Sequence, residues 1–334
     1  MKNLSSPKDD TPEKLNIDST LRPYTWEGYV GQKKIKDNVR VIIGAAKKRK
    51  DPSCEHILLS GASGLGKTTL AHIISKEMSA KIKVTSGAAI ERAGDLAAIL
   101  TNLSEGDVLF IDEIHRLNRT CEEYIYPAME SFRLDIIIGK GPMARTVELK
   151  IPPFTLIGAT TRIAMLSSPL RNRFGAIFRL EFYEREEIDE IIKRSAKILE
   201  VTIDDKAVEA ISSRSRFTPR VANRILKRVR DYAQVKNKKK IDAKFVKEAL
   251  LFLGIDSLGL ESGDKKILDT MITKFKGGPV GVRAISSSSG EEEDTILDIY
   301  EPYLLQTGLI ERTPRGRVVT EKAYKHMKAG LHKK

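Results

Sequence analysis

The stretch GASGLGKT, from Gly61 to Thr68, joins closely spaced glycines to a lysine and a hydroxyl. It matches the eight-position phosphate-binding loop, and it lies between the apolar run HILLS and the helical pattern TTLAHIISKEM, as that loop requires. Glycines let backbone N–H groups approach phosphates, and the N-terminus of the following helix favours anions. The pattern predicts that Lys67 reaches the β and γ phosphates of ATP, that Thr68 binds Mg²⁺, and that Thr69 is a lesser phosphate contact.

Two carboxylates follow a second apolar run in the stretch DVLFIDEIH. Four consecutive apolar residues predict a buried strand, and carboxylates at the end of such a strand can serve a metal and a water molecule. The distance from the phosphate-binding loop predicts that Asp112 holds the Mg²⁺ shell and that Glu113 orients and deprotonates the attacking water. For His115 two interpretations stay open: a role at this site, or a surface position on a helix.

A third apolar run, FTLIGATTR, also ends in polar residues. Its position after another core strand predicts that Thr160 lies beside the γ-phosphate. A hydroxyl there can sense the phosphate or help to place the water.

The three apolar runs are bounded by turn or polar residues and alternate with helical patterns up to about residue 180. This is typical of parallel strands covered on both faces, so the sequence predicts an α/β fold. A helical pattern before the first run places Val39, Ile42, Ile43 and Ala46 on one face. The segment RLDIIIGKGPMARTVELKI predicts an inserted β-hairpin with a turn at Gly139 to Pro142, either as an extension of the sheet or as a protruding docking arm.

Four segments of the chain differ in their patterns. Residues 1–20 are polar and aperiodic, which predicts a flexible tail. Residues 21–183 hold the α/β pattern, and helical patterns dominate residues 184–253, which predicts a small lid domain. In residues 254–334, helices precede two short strands around a Pro/Gly/Arg turn, which is typical of a winged-helix domain. The patch SSSSG in that last segment predicts a loop.

The charge of the chain favours a polyanionic partner. The 334 residues include 58 Lys and Arg against 45 Asp and Glu, a formal net charge of +13, and a positive surplus attracts phosphate backbones. No apolar run approaches the roughly 20 residues that span a bilayer, and the start MKNLSSPKDD lacks the apolar core of a signal peptide. We therefore expect a cytoplasmic protein with no membrane partner.

The loop, the Asp-Glu pair, the polar strand end, an arginine in RNRF and another in TPR together resemble the AAA+ ATPases. Longer motifs, among them LRPYTWEGYVGQ, TPRVANRILKRVRDYA, GGPVG and EPYLLQTGLIERTPRGR, are similar to the RuvB family of bacterial branch-migration motors over nearly the whole chain. The resemblance implies a AAA+ P-loop parallel-sheet core with an inserted β-hairpin, a helical lid and a C-terminal winged-helix domain.

The resemblance also implies an activity and partners. Members of the family form a homohexamer that encircles duplex DNA and hydrolyses ATP, with Mg²⁺, to pull the DNA through a Holliday junction during recombination and repair. RuvA would dock on the hairpin near residues 133–150, and RuvC would act as the resolvase.

Individual residues receive roles from the same resemblance. Arg220 would be the lid arginine that reaches phosphate within its own subunit. Arg173, in SPLRNRFG, would be the arginine finger that reaches a neighbour's nucleotide, and Arg171 is the weaker candidate for that role. Together with the loop, the implied nucleotide-binding set is Leu21, Arg22, Gly61, Gly64, Gly66, Lys67, Thr68, Thr69, Glu130, Ser131, Phe132, Arg173, Tyr183 and Arg220.

The resemblance places the DNA contacts on the wing. Arg312 and Arg317 of RTPRGR would lie along the DNA backbone, with Arg315 as a further candidate. From residue 254 onward thirteen basic residues face twelve acidic ones, whereas the last 23 residues hold eight bases and one acid. The wing and the tail, rather than the whole domain, therefore form the predicted polyanion surface.

Three positions that bear on nucleotide or DNA binding depart from the family pattern. Ala62 and Ser63 stand in the phosphate-binding loop where the family usually shows two prolines. Glu293 stands where relatives can carry an arginine that contacts DNA, and a carboxylate there would repel phosphate.

Two other functions stay open from the sequence. A DNA clamp loader would share the ATPase core, but the TPRGR wing argues against it. A winged-helix DNA-binding protein that uses ATP only as a switch is disfavoured by Glu113, because a pure switch has no need for a carboxylate that activates water.

Overall fold

The computed structural model of the chain describes residues 20–138 and 145–331. The predicted tail up to residue 19 and the hairpin turn at Gly139 to Pro142 lie outside the described residues. No helix within the described ranges is both long and apolar enough to cross a membrane.

A five-stranded parallel sheet forms the centre of the first 180 residues. The strands of this part of the chain are β1 Ile57–Ser60, β2 Ile82–Ser86, β3 Val108–Asp112, β4 Arg133–Ile138, β5 Arg145–Lys150, β6 Thr155–Thr160 and β7 Ala176–Arg179. The sheet has the spatial order β2-β3-β6-β1-β7, and all its neighbouring strands are parallel. The α/β core with a parallel sheet is thus confirmed.

The register of the sheet brings the chemistry-bearing strand ends to one edge. Ser60, which precedes the phosphate-binding loop, lies opposite Thr160. Asp112 ends the adjacent strand β3, and it lies opposite Ser86. Because parallel strands end on the same side, the residues that follow β1, β3 and β6 line one crevice.

Helices cover both faces of this sheet, with bounds Lys33–Arg49, Lys67–Glu77, Ala93–Thr101, Arg119–Ser131 and Ser168–Asn172. The first helix buries Val39, Ile43 and Ala46, the face that the sequence predicts. These side chains belong to one apolar cluster with Ile57 and Leu59 of β1, and a second cluster fills the opposite face of the sheet.

The predicted hairpin is a separate antiparallel pair. Strand β4 pairs with β5 from Arg133 opposite Lys150 to Ile138 opposite Arg145, and the pair forms a two-stranded sheet of its own. The interpretation as an extension of the central sheet is therefore wrong. Val147 and Leu149 of β5 remain exposed.

Four helices form the lid, Arg185–Ile198, Asp205–Ser212, Pro219–Val235 and Ala243–Phe252, with the short parallel pair β8 Thr202–Ile203 and β9 Lys240–Ile241. The third lid helix begins where Thr218 accepts a hydrogen bond from the Val221 N–H and Pro219 occupies the first turn, a favourable start for a helix. Apolar side chains of the lid join the same cluster as the first core helix. The lid therefore packs directly on the core.

The C-terminal segment has a winged-helix arrangement around its own apolar cluster. Its helices are Ser262–Phe275, Val282–Ser289, Glu293–Thr295, Glu301–Gln306 and Glu321–Leu331, with a π-helical segment at Ile296–Tyr300. The wing consists of β10 Ile310–Thr313 and β11 Gly316–Val319, which pair antiparallel.

The prediction of a loop at SSSSG is wrong. The four serines form the end of the helix Val282–Ser289, and Gly290, with a φ of 73°, ends it. Serine is a weak helix former, but tertiary packing of Ile285, which is 1% exposed, outweighs that weak preference.

Candidate active site

A cavity of about 670 Å³ lies between the edge of the sheet and the lid. This volume is within the range of small-molecule and cofactor sites. The core contributes the phosphate-binding loop and the ends of β3, and the lid contributes basic side chains. The predicted residues that line the cavity are Leu21, Arg22, Gly64, Gly66, Lys67, Thr68, Thr69, Asp112, Glu113, Tyr183 and Arg220.

The glycines of the loop are needed where they stand. Gly64 and Gly66 have φ values of 84° and 97°, in the left-handed region that other residues rarely adopt. A Cβ at Gly64 would lie 3.0 Å from the Cβ of Arg220, and one at Gly66 would lie 3.1 Å from the Tyr29 hydroxyl. The loop therefore keeps its backbone open toward the cavity between lid and core.

Lys67 is buried inside the loop. Its Nζ donates hydrogen bonds to the carbonyl oxygens of Gly61, at 2.7 Å, and Ala62, at 2.9 Å. Burial lowers the pKa of Lys67, and the nearby carboxylates of Glu113 and Asp112 oppose that shift. Gly61 contributes this carbonyl oxygen, and a Cβ at Gly61 would lie 2.7 Å from the Leu180 carbonyl oxygen, so the position needs glycine.

Asp112 and Glu113 lie at the end of β3 and face the same cavity as Thr68. The Glu113 N–H donates a hydrogen bond to Asp112 Oδ1 at 3.0 Å. Burial raises the pKa of Asp112, and the charge of Glu113 adds to the rise. Glu113 has a φ of 45°, so the chain turns sharply there. This strained conformation directs the two consecutive carboxylates into one site.

Thr160 lies elsewhere than its predicted role requires. It is fully buried, its Oγ1 lies 2.9 Å from Nδ1 of His115, and it accepts a hydrogen bond from the Arg162 N–H at 2.9 Å. Neither Thr160 nor Thr161 is among the described residues that line the cavity. The next residue, Thr161, donates from its hydroxyl to Glu113 Oε2 at 3.2 Å and from its N–H at 3.4 Å. The hydroxyl in contact with the Glu113 carboxylate is therefore that of Thr161, a residue that the sequence reasoning missed.

His115 is a buried part of this network rather than a surface residue. Its ring is 3% exposed, and Nδ1 lies 3.2 Å from Glu113 Oε2 as well as near Thr160. Burial lowers the pKa of His115, although the charge of Glu113 opposes the shift. His115 thus lies beside Glu113 and contacts its carboxylate.

The far end of the cavity holds the residues predicted from LRP and EFY. Leu21 is buried, and its carbonyl accepts a hydrogen bond from Arg194 Nη2 at 2.6 Å. Tyr183 donates from its hydroxyl to the Leu65 carbonyl at 3.2 Å, and burial raises its pKa to about 12. Arg194 lines the cavity as well, and it lies in no motif that would set it apart from other lid arginines.

The lid presents several cations to the loop. Arg220 donates from Nη1 to the Ser63 hydroxyl at 3.0 Å. A proline at that position could not accept this bond, so the departure at Ser63 connects lid and loop directly. Arg224 and Lys227, one and two turns further along the same helix, also line the cavity, and neither was predicted.

Arg173 lies outside the cavity of its own subunit, on another surface of the core. Its guanidinium stacks on Tyr126, with Cζ 4.3 Å from the ring centroid, and Nη2 lies 3.0 Å from Glu130 Oε1. Nη1 donates to the Pro169 carbonyl at 2.9 Å. Ser131 and Phe132 directly follow Glu130 at the end of the helix Arg119–Ser131. The structure thus groups Arg173 with the predicted nucleotide contacts at 130–132, away from the loop.

The wing arginines differ in how freely they can meet DNA. Arg312 and Arg317 both donate to the buried carboxylate of Glu301, with Nε to Oε1 distances of 2.8 Å in each case. Arg317 is 18% exposed, whereas Arg312 is 58% exposed. Burial alone would raise the pKa of Glu301, but the hydrogen bonds and charges of both arginines outweigh it and lower the pKa. Arg315 is exposed at the turn between the strands.

Glu293 also has a partner. It lies at the start of a short helix, and its Oε1 is 3.6 Å from Nε of Arg283, whose side chain is 90% exposed. The guanidinium of Arg283 therefore offsets the carboxylate at the position that departs from the family pattern.

A parallel sheet with a phosphate-binding loop after β1, an acidic pair after β3 and a helical lid over the cavity define a AAA+ P-loop ATPase. Family models match in three consecutive parts: the Holliday junction DNA helicase RuvB P-loop domain at residues 21–180, the RuvB AAA lid domain at 183–256 and the RuvB C-terminal winged helix domain at 257–328. The chain belongs to the RuvB family.

Curated relatives and solved structures agree with this assignment. The chain is 59% identical over 311 residues to the Holliday junction branch migration complex subunit RuvB of Dehalococcoides mccartyi, which covers 93% of this chain and 89% of the relative. It is 56% identical over 322 residues to the subunit of the same name from Kosmotoga olearia, covering 96% and 93%. The structure of the Thermotoga maritima RuvB Holliday junction branch migration motor is 50% identical, with a TM-score of 0.85, and covers 92% of this chain and 98% of that one.

Proposed function

We propose that this chain is the ATP-driven motor of Holliday junction branch migration, acting with RuvA on duplex DNA in recombination and repair. One observation carries the proposal: a hydrolysis site with its own water-activating carboxylate, Glu113, stands in one chain with a winged-helix domain of the RuvB type. The clamp-loader alternative is not favoured, because the C-terminal domain matches the RuvB winged helix.

The chain binds nucleotide at the cavity between core and lid. We infer that Lys67 reaches the β and γ phosphates, while Arg220 of the lid contacts phosphate within the same subunit. Thr68 and Asp112 supply a hydroxyl and a carboxylate, the hard oxygen ligands that suit Mg²⁺, and both line the cavity. A bound Mg²⁺ would neutralise charge that develops on the transferred phosphoryl group.

Glu113 is the general base of the proposed reaction. Its carboxylate faces the cavity, and Thr161 and His115 hold one of its oxygens. A base fixed in this way can orient the attacking water and accept its proton as the γ-phosphate bond breaks.

The arginine finger requires a neighbour. Because Arg173 lies outside its own cavity, we infer that it acts on the nucleotide of an adjacent subunit together with Glu130, Ser131 and Phe132. A homohexamer supplies such an interface at every site. Stacking on Tyr126 and pairing with Glu130 hold the guanidinium ready before the subunits meet.

The remaining partners follow from exposed surfaces and from the family. We assign the hairpin near residues 133–150 to RuvA, since Val147 and Leu149 are exposed apolar side chains on a projecting strand. The same proposal includes RuvC as the resolvase and a cytoplasmic location. It also includes the domain ranges 21–183, 184–253 and 254–334.

Branch migration of a synthetic four-way junction tests this function. With purified RuvA and ATP, the chain is expected to convert a junction with labelled arms into two duplexes, and Lys67→Ala is expected to leave the junction intact. Wild-type protein that hydrolyses ATP yet leaves the junction unmoved would contradict the motor function.

Thr161→Val is expected to lower ATP turnover by roughly tenfold, because loss of a hydrogen bond to a charged group costs about 1.5 kcal/mol or more. Its thermal unfolding should stay close to that of the wild type, since Thr161 is only half-buried, whereas Thr160 is fully buried. Thr160→Val should show the opposite, a loss of about 1–3 kcal/mol in stability, because its hydroxyl is buried among His115 and the Arg162 N–H. Steady-state ATPase and thermal melts of both variants check this; equal turnover in the two would refute the assignment to Thr161.

Arg315→Ala is expected to weaken duplex DNA binding and to lower the slope of log K against log salt by about 0.9, the loss of one phosphate contact. Its folding stability should not change, because the side chain is exposed. Arg317→Ala should instead destabilise the wing, since it removes a partner of the buried Glu301. Lys48→Ala, an exposed change on the core, serves as the control in salt titrations, and an unchanged slope for Arg315→Ala would speak against a DNA contact there.

A further inference from the structure

One arginine connects the ATPase core to the winged-helix segment. Arg162, two residues beyond β6, donates from Nε to Asp298 Oδ1 at 2.7 Å and from Nη2 to Asp298 Oδ2 at 2.8 Å. Its Nη1 also donates to Asp294 Oδ1 at 2.9 Å. The guanidinium is 18% exposed. A two-pronged pair with a further carboxylate fixes both distance and orientation, which a single contact cannot do.

The core end of this connection is next to the hydrolysis site. The N–H of Arg162 is bound to the Thr160 hydroxyl, and the preceding residue, Thr161, donates twice to Glu113. A movement of Glu113 or of the water beside it therefore acts on the backbone that carries Arg162.

The other end of the connection leads to the wing. Asp298 lies in the π-helical segment Ile296–Tyr300, and Glu301 follows three residues later at the start of the next helix. Glu301 holds both wing arginines, Arg312 and Arg317. π-Helical turns are rare and occur often at functional sites. A continuous series of contacts and short chain segments thus connects the carboxylate of Glu113 with the strands of the wing.

The winged-helix segment is also attached to the lid, away from Arg162. A separate buried pair, Arg216 with Asp264 at 2.5 Å, joins this segment to the lid, and both side chains are 9% exposed or less. Loss of the Arg162 contact should therefore leave the segment attached.

We propose that Arg162 is a coupling residue: through Asp298 and Asp294 it makes the wing follow the strand end beside Glu113 when ATP is hydrolysed. The inference rests on the proposed motor function. Arg162 acts on DNA only through other residues, so it positions the wing and has no part in the chemistry.

The test measures ATP hydrolysed per base pair of junction migration, in one reaction with RuvA. Asp298→Ala and Arg162→Ala are each expected to raise this ratio about fivefold or more, the lower end of typical coupling between sites. Asp298→Ala should leave the ATPase rate without DNA close to that of the wild type, since Asp298 does not line the cavity and its charge acts on Lys67 less than those of Glu113 and Asp112. The double variant should be no worse than the worse single variant, because both remove one interaction. Exchange of the charges, Arg162→Asp with Asp298→Arg, should recover part of the wild-type ratio.

Controls separate the possible failures. Glu321→Ala removes an exposed ion pair with Lys325, at 2.7 Å, inside the winged-helix segment, and it should keep the wild-type ratio. Asp298→Asn keeps the side-chain shape and replaces Asp298→Ala if that variant fails to fold. A wild type that hydrolyses ATP without moving the junction would refute the proposed function. A wild type that migrates normally while Asp298→Asn and Asp298→Ala keep its ratio, or single effects that add in the double variant, would overturn the coupling role.

Discussion

Arg173→Ala should bind ATP as tightly as the wild type but hydrolyse it about 10³-fold or more slowly, because an arginine supplied across an interface contributes about 10³ to 10⁵ in rate. The physical reason is geometric. Arg173 lies outside its own cavity, so its loss leaves the subunit's loop and lid intact while the neighbour's γ-phosphate lacks a compensating charge.

Mixing experiments make this prediction specific. Arg173→Ala subunits keep an intact cavity, and Lys67→Ala subunits keep an intact finger, so mixed hexamers should recover part of the lost ATPase although each variant alone is inactive. Arg171→Ala, two residues away on the same short helix, is the matched control and should keep turnover close to that of the wild type. Absence of recovery in mixtures whose joint assembly has been shown by crosslinking would refute action across the interface.

Glu113→Gln should lower ATP turnover about 10²- to 10⁴-fold, the usual contribution of a general base. Glutamine keeps an oxygen that can accept from Thr161, so the shape of the site is retained while the capacity to take a proton is lost. ATP affinity, measured by equilibrium titration with a fluorescent nucleotide, should change little.

The exposed Glu105→Gln, remote from the cavity, is the matched control for this change of charge. If Glu113→Gln turned over ATP at the wild-type rate, Glu113 could not be the base. That result would refute the role assigned to Glu113 and would leave the motor function to be tested by branch migration.

Much of the nucleotide site could be predicted because its signals are local. A phosphate-binding loop has fixed spacing, and β1, β3 and β6 are continuous apolar runs because both of their faces are covered. Strands β2 and β7 were missed because they lie at the sheet edges, where their side chains are only partly buried and no such run exists.

The choice between Thr160 and Thr161 shows where local signals end. Both follow the same strand, and neighbouring side chains in extended chain point in opposite directions. One hydroxyl therefore packs against His115 inside the protein, and the other meets Glu113. Which of the two contacts Glu113 depends on how β6 lies beside β3, and neither segment alone contains that relation.

The sequence by itself determined the class of chemistry, the parallel core, the hairpin and the winged-helix pattern, because each is encoded within a few tens of residues. Tertiary structure decided which charged side chains are available to bind a partner. Glu301 pairs with Arg312 and Arg317, Arg315 remains exposed, and Arg173 lies outside its own cavity. It also decided that Arg162 meets Asp298, 136 residues further along the chain. Ion pairs of this kind depend on which distant segments the fold brings within a few ångströms. Composition and residue spacing do not specify which segments those are.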